Sequence, residues 1–347
     1  MEDGAAGHWD LLRRRAGLLL APVVFAAIWL APFALEEKPH RLAAVLAAVI
    51  VLWVSEAIPM AATAFLGVAL AILLGVAPAK DAFAPFADPL IFVFIGTFML
   101  AQAIFFHRLD RRFALTILSL PGVGDSPARV LAAYSAVSCV LSMWISNTAT
   151  TAMMYPIGIS LLAAMERSGA RTGVSPAYAA VLLLANPFAA SIGGLATPVG
   201  TPPNLIGIGF LRREVGAEVP FFSWMLLGVP VLAVLYAVML LDLGRSRGAR
   251  SSSLGGVRER ILAERRELGG WTRGQVNTLV AFGVTVFFWV LPGAVALFAG
   301  ESSPAYKELV RVLPEGVVAL FGATLLFLLP VDFRRHRFTL PWAEAVK

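Results

Sequence analysis

The sequence is short of charge, of cysteine and of histidine, and each shortage removes a class of protein. Only 14% of its 347 residues are charged, against roughly 25% in an ordinary soluble domain. Apolar residues reach 59% and fall in uncharged runs longer than one globular core can bury, which excludes a water-soluble globule. One cysteine, Cys139, excludes an intramolecular disulfide framework and a cysteine-rich metal centre. The four histidines, His8, His40, His107 and His336, lie in polar flanks at spacings that assemble no zinc site. No nucleophile stands beside a histidine and no pair of carboxylates sits within an apolar run, so no enzyme and no cofactor are expected. The net charge of +6 is carried by arginines between apolar runs, where membrane topology accounts for them without a nucleic-acid partner.

What the sequence has is long apolar runs: 16–35, 57–79, 89–106, 130–165, 172–211, 219–241, 274–300 and 316–331, with a shorter one at 42–55. Most reach the ~20 residues with which an α-helix crosses ~30 Å of hydrocarbon. The period-2 alternation of a transmembrane strand is missing. The fold class is therefore an all-α polytopic, multi-pass membrane protein. The first run follows Arg13, Arg14 and Arg15, ends at Pro32 and Glu36-Glu37-Lys38, and reads as a signal-anchor span.

Orientation turns on the 130–165 run, whose midpoint is the polar stretch Ser146-Asn147-Thr148-Ala149-Thr150-Thr151. If the run enters and leaves by one face as two half-depth helices, and 42–58 and 60–78 are separate helices divided at Ser55–Pro59, the inside loops hold 21 of the 28 basic residues. A single crossing would place most of them outside, against the positive-inside rule. The polar linker 244–274 includes Val257–Arg266, which could form an amphipathic surface helix. Its arginines are explained as a solvated inside loop without invoking anionic lipid. A faint repeat aligns 45–59 with 279–293, Trp53 matching Trp289, and 64–74 with 319–328. Under this parity the two copies run in opposite directions, as in the inverted repeats of secondary transporters.

Polar groups within hydrocarbon are costly, so a dense cluster of them marks a cavity or a site. Isolated hydroxyls such as Thr63, Thr97 and Ser138 are read as bonded back to the preceding turn. Glu56, beside Pro59, is read as a helix-end residue rather than a proton relay, and Asp88 and Glu315 as helix-start residues. Arg212 and Arg213 read as anchors at a helix end. Two clusters remain. One runs from Ser142 through Ser146-Asn147-Thr148 to Thr151, and a break in the backbone helix there would offer carbonyls to a sodium ion and helix-start amides to a carboxylate. The other is Ser191 to Asn204, where glycine and proline force the helix to unwind.

Ser146-Asn147-Thr148, the Gly193-Gly194-Leu195-Ala196-Thr197-Pro198-Val199-Gly200-Thr201-Pro202-Pro203-Asn204 run, Val54–Pro59 and Pro341–Ala345 together resemble the divalent anion:sodium symporter family over nearly the whole sequence. The resemblance implies an inverted-repeat, elevator-type transporter with one re-entrant hairpin and a discontinuous helix. It places sodium at Ser142, Ser146, Asn147 and the Gly200 backbone, and the substrate carboxylate at Asn147, Thr148 and Thr201. Scaffold helices would occupy 1–125 and 219–243, the moving hairpin and broken helix 126–168 and 172–211, the basic cytoplasmic linker 244–274, and the start of a second repeat 275–347. It further implies a homodimer in lipid, sodium as coupling ion, and a small anionic substrate, by expectation a C4 dicarboxylate such as succinate. An exchanger or a sulfate or citrate transporter of the same fold is the alternative, and a transport-incompetent scaffold subunit another. Family members carry a second Ser-Asn-Thr hairpin. This sequence has none, since Val276-Asn277-Thr278 lacks the serine, so the second repeat is expected to be incomplete and the sequence truncated at its C-terminal end.

Overall fold

The structure, a computed structural model, describes residues 7–167, 175–245 and 257–346. The segment 168–174, the Arg/Ser/Gly-rich part of the linker at 246–256, and Lys347 lie outside the described residues. The protein divides into two compact units, Met1–Asp88 and Pro89–Lys347. Six described helices are long and apolar enough to cross a membrane, or seven if one bent pair counts as a span.

The first unit holds α1 (His8–Leu30), α2 (Glu37–Ser55), α3 (Met60–Leu73) and the short α4 (Ala79–Phe83). Helix α1 starts upstream of the expected 16–35 run, taking Arg13–Arg15 into its first turns. It stops at Leu30 because Pro32 disfavours helical backbone in the residue before it. Helices α2 and α3 are separate; α2 starts ahead of the expected 42–58 span and stops short of its end, and α3 stops short of the end of the expected 60–78. Glu56 makes the break: its backbone is left-handed (φ 49°), and its carboxylate accepts a hydrogen bond from Arg13 at 2.7 Å. Both side chains are about half exposed, so the pair adds under ~1 kcal/mol and Glu56 has the helix-end role expected of it.

The second unit begins with α5 (Pro89–Phe106), α6 (Leu109–Leu118), α7 (Pro127–Ser142), α8 (Asn147–Arg167), α9 (Pro176–Gly193) and α10 (Pro202–Phe210). It continues with α11 (Phe221–Arg245), α12 (Val257–Glu267), α13 (Arg273–Ala299), α14 (Pro304–Val312) and α15 (Glu315–Leu328). A two-stranded antiparallel ribbon, β1 (Pro330–Asp332) with β2 (Arg337–Phe338), and α16 (Trp342–Ala345) complete it. Several starts are written in the sequence. Ser126, Ser175 and Ser303 each cap a helix whose first residue is proline, and Thr272 with Gln275 forms a capping box on α13.

The 130–165 run resolves into α7 and α8, joined by residues 143–146 and folded back on each other. The Tyr134 hydroxyl donates to the Met154 carbonyl at 2.9 Å, and both helices share a buried core with Tyr178 and Leu182 of α9. Helix α9 lies parallel to α7: Tyr178 reaches the Pro127 carbonyl at one end and Asn186 meets Ser138 further along. The arms are not half-depth. At 16 and 21 residues they measure about 24 and 32 Å, because they pack along each other and α9 well beyond the tip.

Helix α12 forms where the amphipathic pattern put it, but it is no solvated loop. Ile261 joins the hairpin core, and Glu264, 6% exposed, accepts from Ser160 of α8 at 2.5 Å, Arg260 at 2.9 Å and Arg111 of α6 at 3.4 Å. Burial alone would raise the Glu264 pKa. The Ser160 hydroxyl and the two guanidinium groups outweigh it and hold the carboxyl below its ordinary range. Beside it, Arg112 donates to the carbonyls of Leu268, Gly269 and Gly270 at 2.8–3.0 Å and lies over the Trp271 ring. The 108–112 and 257–271 segments are thus in contact.

The faint repeat has a structural counterpart within each unit. The Trp53 indole donates to the carbonyl of Met60, the first residue of α3, at 3.2 Å. Its partner in the alignment, Trp289, donates to the carbonyl of Glu315, the first residue of α15, at 3.1 Å. The residues just before those helices, Pro59 and Pro314, share one backbone conformation (φ −53°, ψ 138° and φ −57°, ψ 140°). Gly67 abuts Val49 and the aligned Gly322 abuts the aligned Thr285. The Glu315 carboxylate does more than start its own helix, since it accepts the Phe221 amide at 2.6 Å.

Candidate ion and substrate site

Four helix ends meet at the tip of the hairpin. Helix α7 ends at Ser142 and α9 at Gly193, each presenting the carbonyl end and negative pole of a helix dipole; α8 starts at Asn147 and α10 at Pro202, presenting the positive ends. The links between them, residues 143–146 and 194–201, touch. The Thr197 hydroxyl donates to the Met143 carbonyl at 2.5 Å. A methyl group at Gly194 would collide with the Asn147 side-chain oxygen, so only glycine lets the loop approach this closely. The two polar clusters, about 50 residues apart in sequence, meet at the tip.

The loop is fixed from within. The Asn204 amide donates to the Gly194 carbonyl at 2.7 Å and to the Thr197 carbonyl at 2.9 Å, and the Gly200 amide donates to the Thr197 hydroxyl at 3.1 Å. From outside, the Trp224 indole donates to the Leu195 carbonyl at 3.0 Å. On the hairpin, Trp144 stacks at 6.3 Å on Phe221, which stacks at 4.6 Å on Trp289.

Among the expected sodium ligands, Ser142 and Asn147 come together, the Ser142 hydroxyl donating to Asn147 Oδ1 at 2.7 Å. Gly200 lies against the Gly194 and Met143 carbonyls. Ser146 is exposed and its hydroxyl accepts the Ala149 amide at 3.2 Å, so it caps α8, and among the described residues no hydrogen bond joins its side chain to Ser142 or Asn147. Oxygens of Ser142, Asn147 and backbone carbonyls form a neutral, hard donor set that suits an alkali cation. Among the described residues no group of three or more His, Cys, Asp or Glu could hold a metal ion.

Among the expected anion ligands, Thr148 is exposed in the first turn of α8 and Thr201, partly exposed, precedes α10 without capping it through its hydroxyl. The two helix starts are unequal. Pro202 and Pro203 carry no N–H, so α10 offers little beyond the Thr201 hydroxyl. Helix α8 has no proline in its first turn and presents the Asn147 and Thr148 amides at its start. Asn147 opens α8 and does not lie in the break, which is confined to 143–146. Thr197 and Asn204 lie in the glycine- and proline-rich cluster without a separate role read from sequence, and Asn186 lies outside both clusters. Each is a buried amide or hydroxyl within an apolar run, the same signal that marked Asn147.

A polytopic helical membrane protein with polar groups gathered where broken helices meet has the features of a secondary transporter. A family model described as the sodium:sulfate symporter transmembrane region matches residues 12–347, and the chain belongs to that family of membrane transporters. It is similar to the sodium-dependent dicarboxylate transporter SdcS of Staphylococcus saprophyticus, 29% identical over 336 residues, covering 95% of this chain and 63% of the relative. The SdcS of Staphylococcus aureus matches at 29% over 337 residues, with the same coverage. The chain thus spans under two thirds of the length of these relatives.

Proposed function

We propose that the protein serves sodium-coupled movement of a small dicarboxylate, by expectation a C4 acid such as succinate, across the inner membrane. The observation that carries the reading is the meeting of the hairpin tip with the unwound 194–201 loop. Sodium binds at the carbonyl-rich side, to Ser142, Ser146, Asn147 and the Gly200 backbone. The carboxylate binds at the α8 start, to Asn147 and Thr148, with Thr201 across from it. None of these residues is charged, so the anion is neutralised by helix-start amides and by the sodium beside it. Asn147 touches both ligands, which makes anion affinity depend on sodium. The relatives, named as sodium-dependent dicarboxylate transporters, support the same coupling.

The contact of the 108–112 and 257–271 segments supports a hairpin that returns to the face it entered, since a single crossing of 130–165 would put those segments on opposite sides. In that reading the hairpin and the broken helix move as an elevator against a scaffold that dimerises, and the two repeats are inverted. The test is uptake of labelled succinate by proteoliposomes under an inward sodium gradient, with sulfate and citrate as competitors. Uptake that needs sodium and is blocked by dicarboxylates supports the reading. Equal uptake in choline points to exchange, and preferential competition by sulfate to the other substrate class.

A further inference from the structure

Behind the tip, the hairpin core contains a layer of polar side chains that the tip site does not use. Ser138 of α7, Thr150 of α8 and Asn186 of α9 are all essentially without exposure. The Ser138 hydroxyl bonds back to the Tyr134 carbonyl at 3.3 Å, as expected of an isolated serine, but also donates to Asn186 Oδ1 at 2.9 Å. The Asn186 amide donates to the Thr151 carbonyl at 2.9 Å, which sets α9 level with the first turns of α8.

Thr150 is the exception in this layer, because its buried hydroxyl has no hydrogen-bond partner. Thr97, Thr278 and Thr285 each donate to the carbonyl four residues earlier at 2.7–2.8 Å, the usual relief for a hydroxyl in an apolar helix. Thr150 does not. It lies on the stripe Thr150, Met154, Ile157, Leu161, whose other members are buried in the core shared with α7 and α9. Helical spacing therefore aims its side chain between those helices, at the level of Ser138 and Asn186. A buried polar atom left unpaired calls for an occupant.

We propose that Ser138 Oγ, Thr150 Oγ1 and Asn186 Oδ1 form an inner sodium position, about one helical turn deeper in the hairpin than the tip site. All three donors are neutral oxygens, the set that takes an alkali cation and offers a multivalent one too little charge. The position deepens the sodium-coupled reading and rests on it.

The test counts sodium bound to the purified full-length protein by radiolabelled sodium, and reads its thermal stability in sodium against choline chloride. Thr150→Val removes the hydroxyl at constant shape. It binds one sodium fewer per protomer than the parent, is no less stable in choline, and loses part of the sodium-induced rise in melting temperature. Thr150→Ser restores the count, and Ser138→Ala lowers it as Thr150→Val does. Asn147→Ala empties the tip position and keeps the inner one. If parent and Thr150→Val bind equal numbers of sodium ions and the valine variant is more stable in both salts, the hydroxyl faces a water or nothing and the inner position is overturned while the tip site stands. If the parent binds no sodium at all, both readings fall.

Discussion

The two ends of the hairpin are held by opposite chemistry. At its open end α6 and α12 clasp it with charge: Glu264 among Arg111, Arg260 and Ser160, and Arg112 across three carbonyls. At its tip hydroxyls, side-chain amides and backbone groups make the contacts, among them Thr197 to Met143, Asn204 to Gly194 and Ser142 to Asn147. Fixed charges are tolerated where the guanidinium groups still reach water, as Arg111 and Arg260 do at 38% and 46% side-chain exposure. At depth they are strongly unfavourable, and a permanent charge at the tip would hold one ligand and repel the other. Under the proposed function, a neutral tip would let the cation and the anion answer each other's charge, so that each would bind well only with its partner.

The contrast can be broken most severely at the tip. Asn147→Ala removes the one side chain proposed to meet both ligands, and sodium-dependent succinate binding is expected to fall about 100-fold, close to 3 kcal/mol, in a binding titration. Gly194→Ala drives a methyl group into the Asn147 side chain; a loss of about tenfold in sodium affinity is expected, with about 1–3 kcal/mol lost in stability. At the charged end the effects turn on pH. Asp110, 5% exposed on α6, is pushed by burial up to about 6, against the pull of local backbone amides and of Arg111 and Arg108. A raised carboxyl pKa means the folded state prefers the protonated acid, so this group's contribution to stability is lost as pH rises through about 6. Asp110→Asn should therefore stabilise the protein by about 2 kcal/mol at pH 8 and by little at pH 4, as read in thermal melts. Glu264, shifted the other way, stabilises above its ordinary range and loses that contribution as pH falls. Glu264→Ala should cost about 1 kcal/mol at neutral pH, because its arginine partners stay hydrated, and should leave sodium binding unchanged.

Much of this arrangement was legible in the sequence. Long apolar runs marked the spans, the glycine- and proline-rich stretch marked the unwound loop, and a polar midpoint in an overlong run marked the hairpin. Trp53 and Trp289 marked a faint repeat, and each indole donates to the carbonyl of the first residue of a later helix. Distance hid the rest. Nothing local to Glu264 shows that Ser160 waits for it across a hundred residues, so α12 read as solvated. Nothing local to Thr150 shows that its hydroxyl lacks the bond that Thr97, Thr278 and Thr285 make. The weakness of the α10 start was legible in Pro202-Pro203, since a residue without N–H cannot bind an anion through its backbone.

The most direct measurement labels the two open ends of the hairpin. Single cysteines at Ala128 and Glu166, both exposed and placed in a protein whose own Cys139 is buried, would be treated with an impermeant maleimide on right-side-out and inverted vesicles. The expected result is that both react from the same face of the membrane; reaction from opposite faces would contradict a returning hairpin and the neutral tip site built on it.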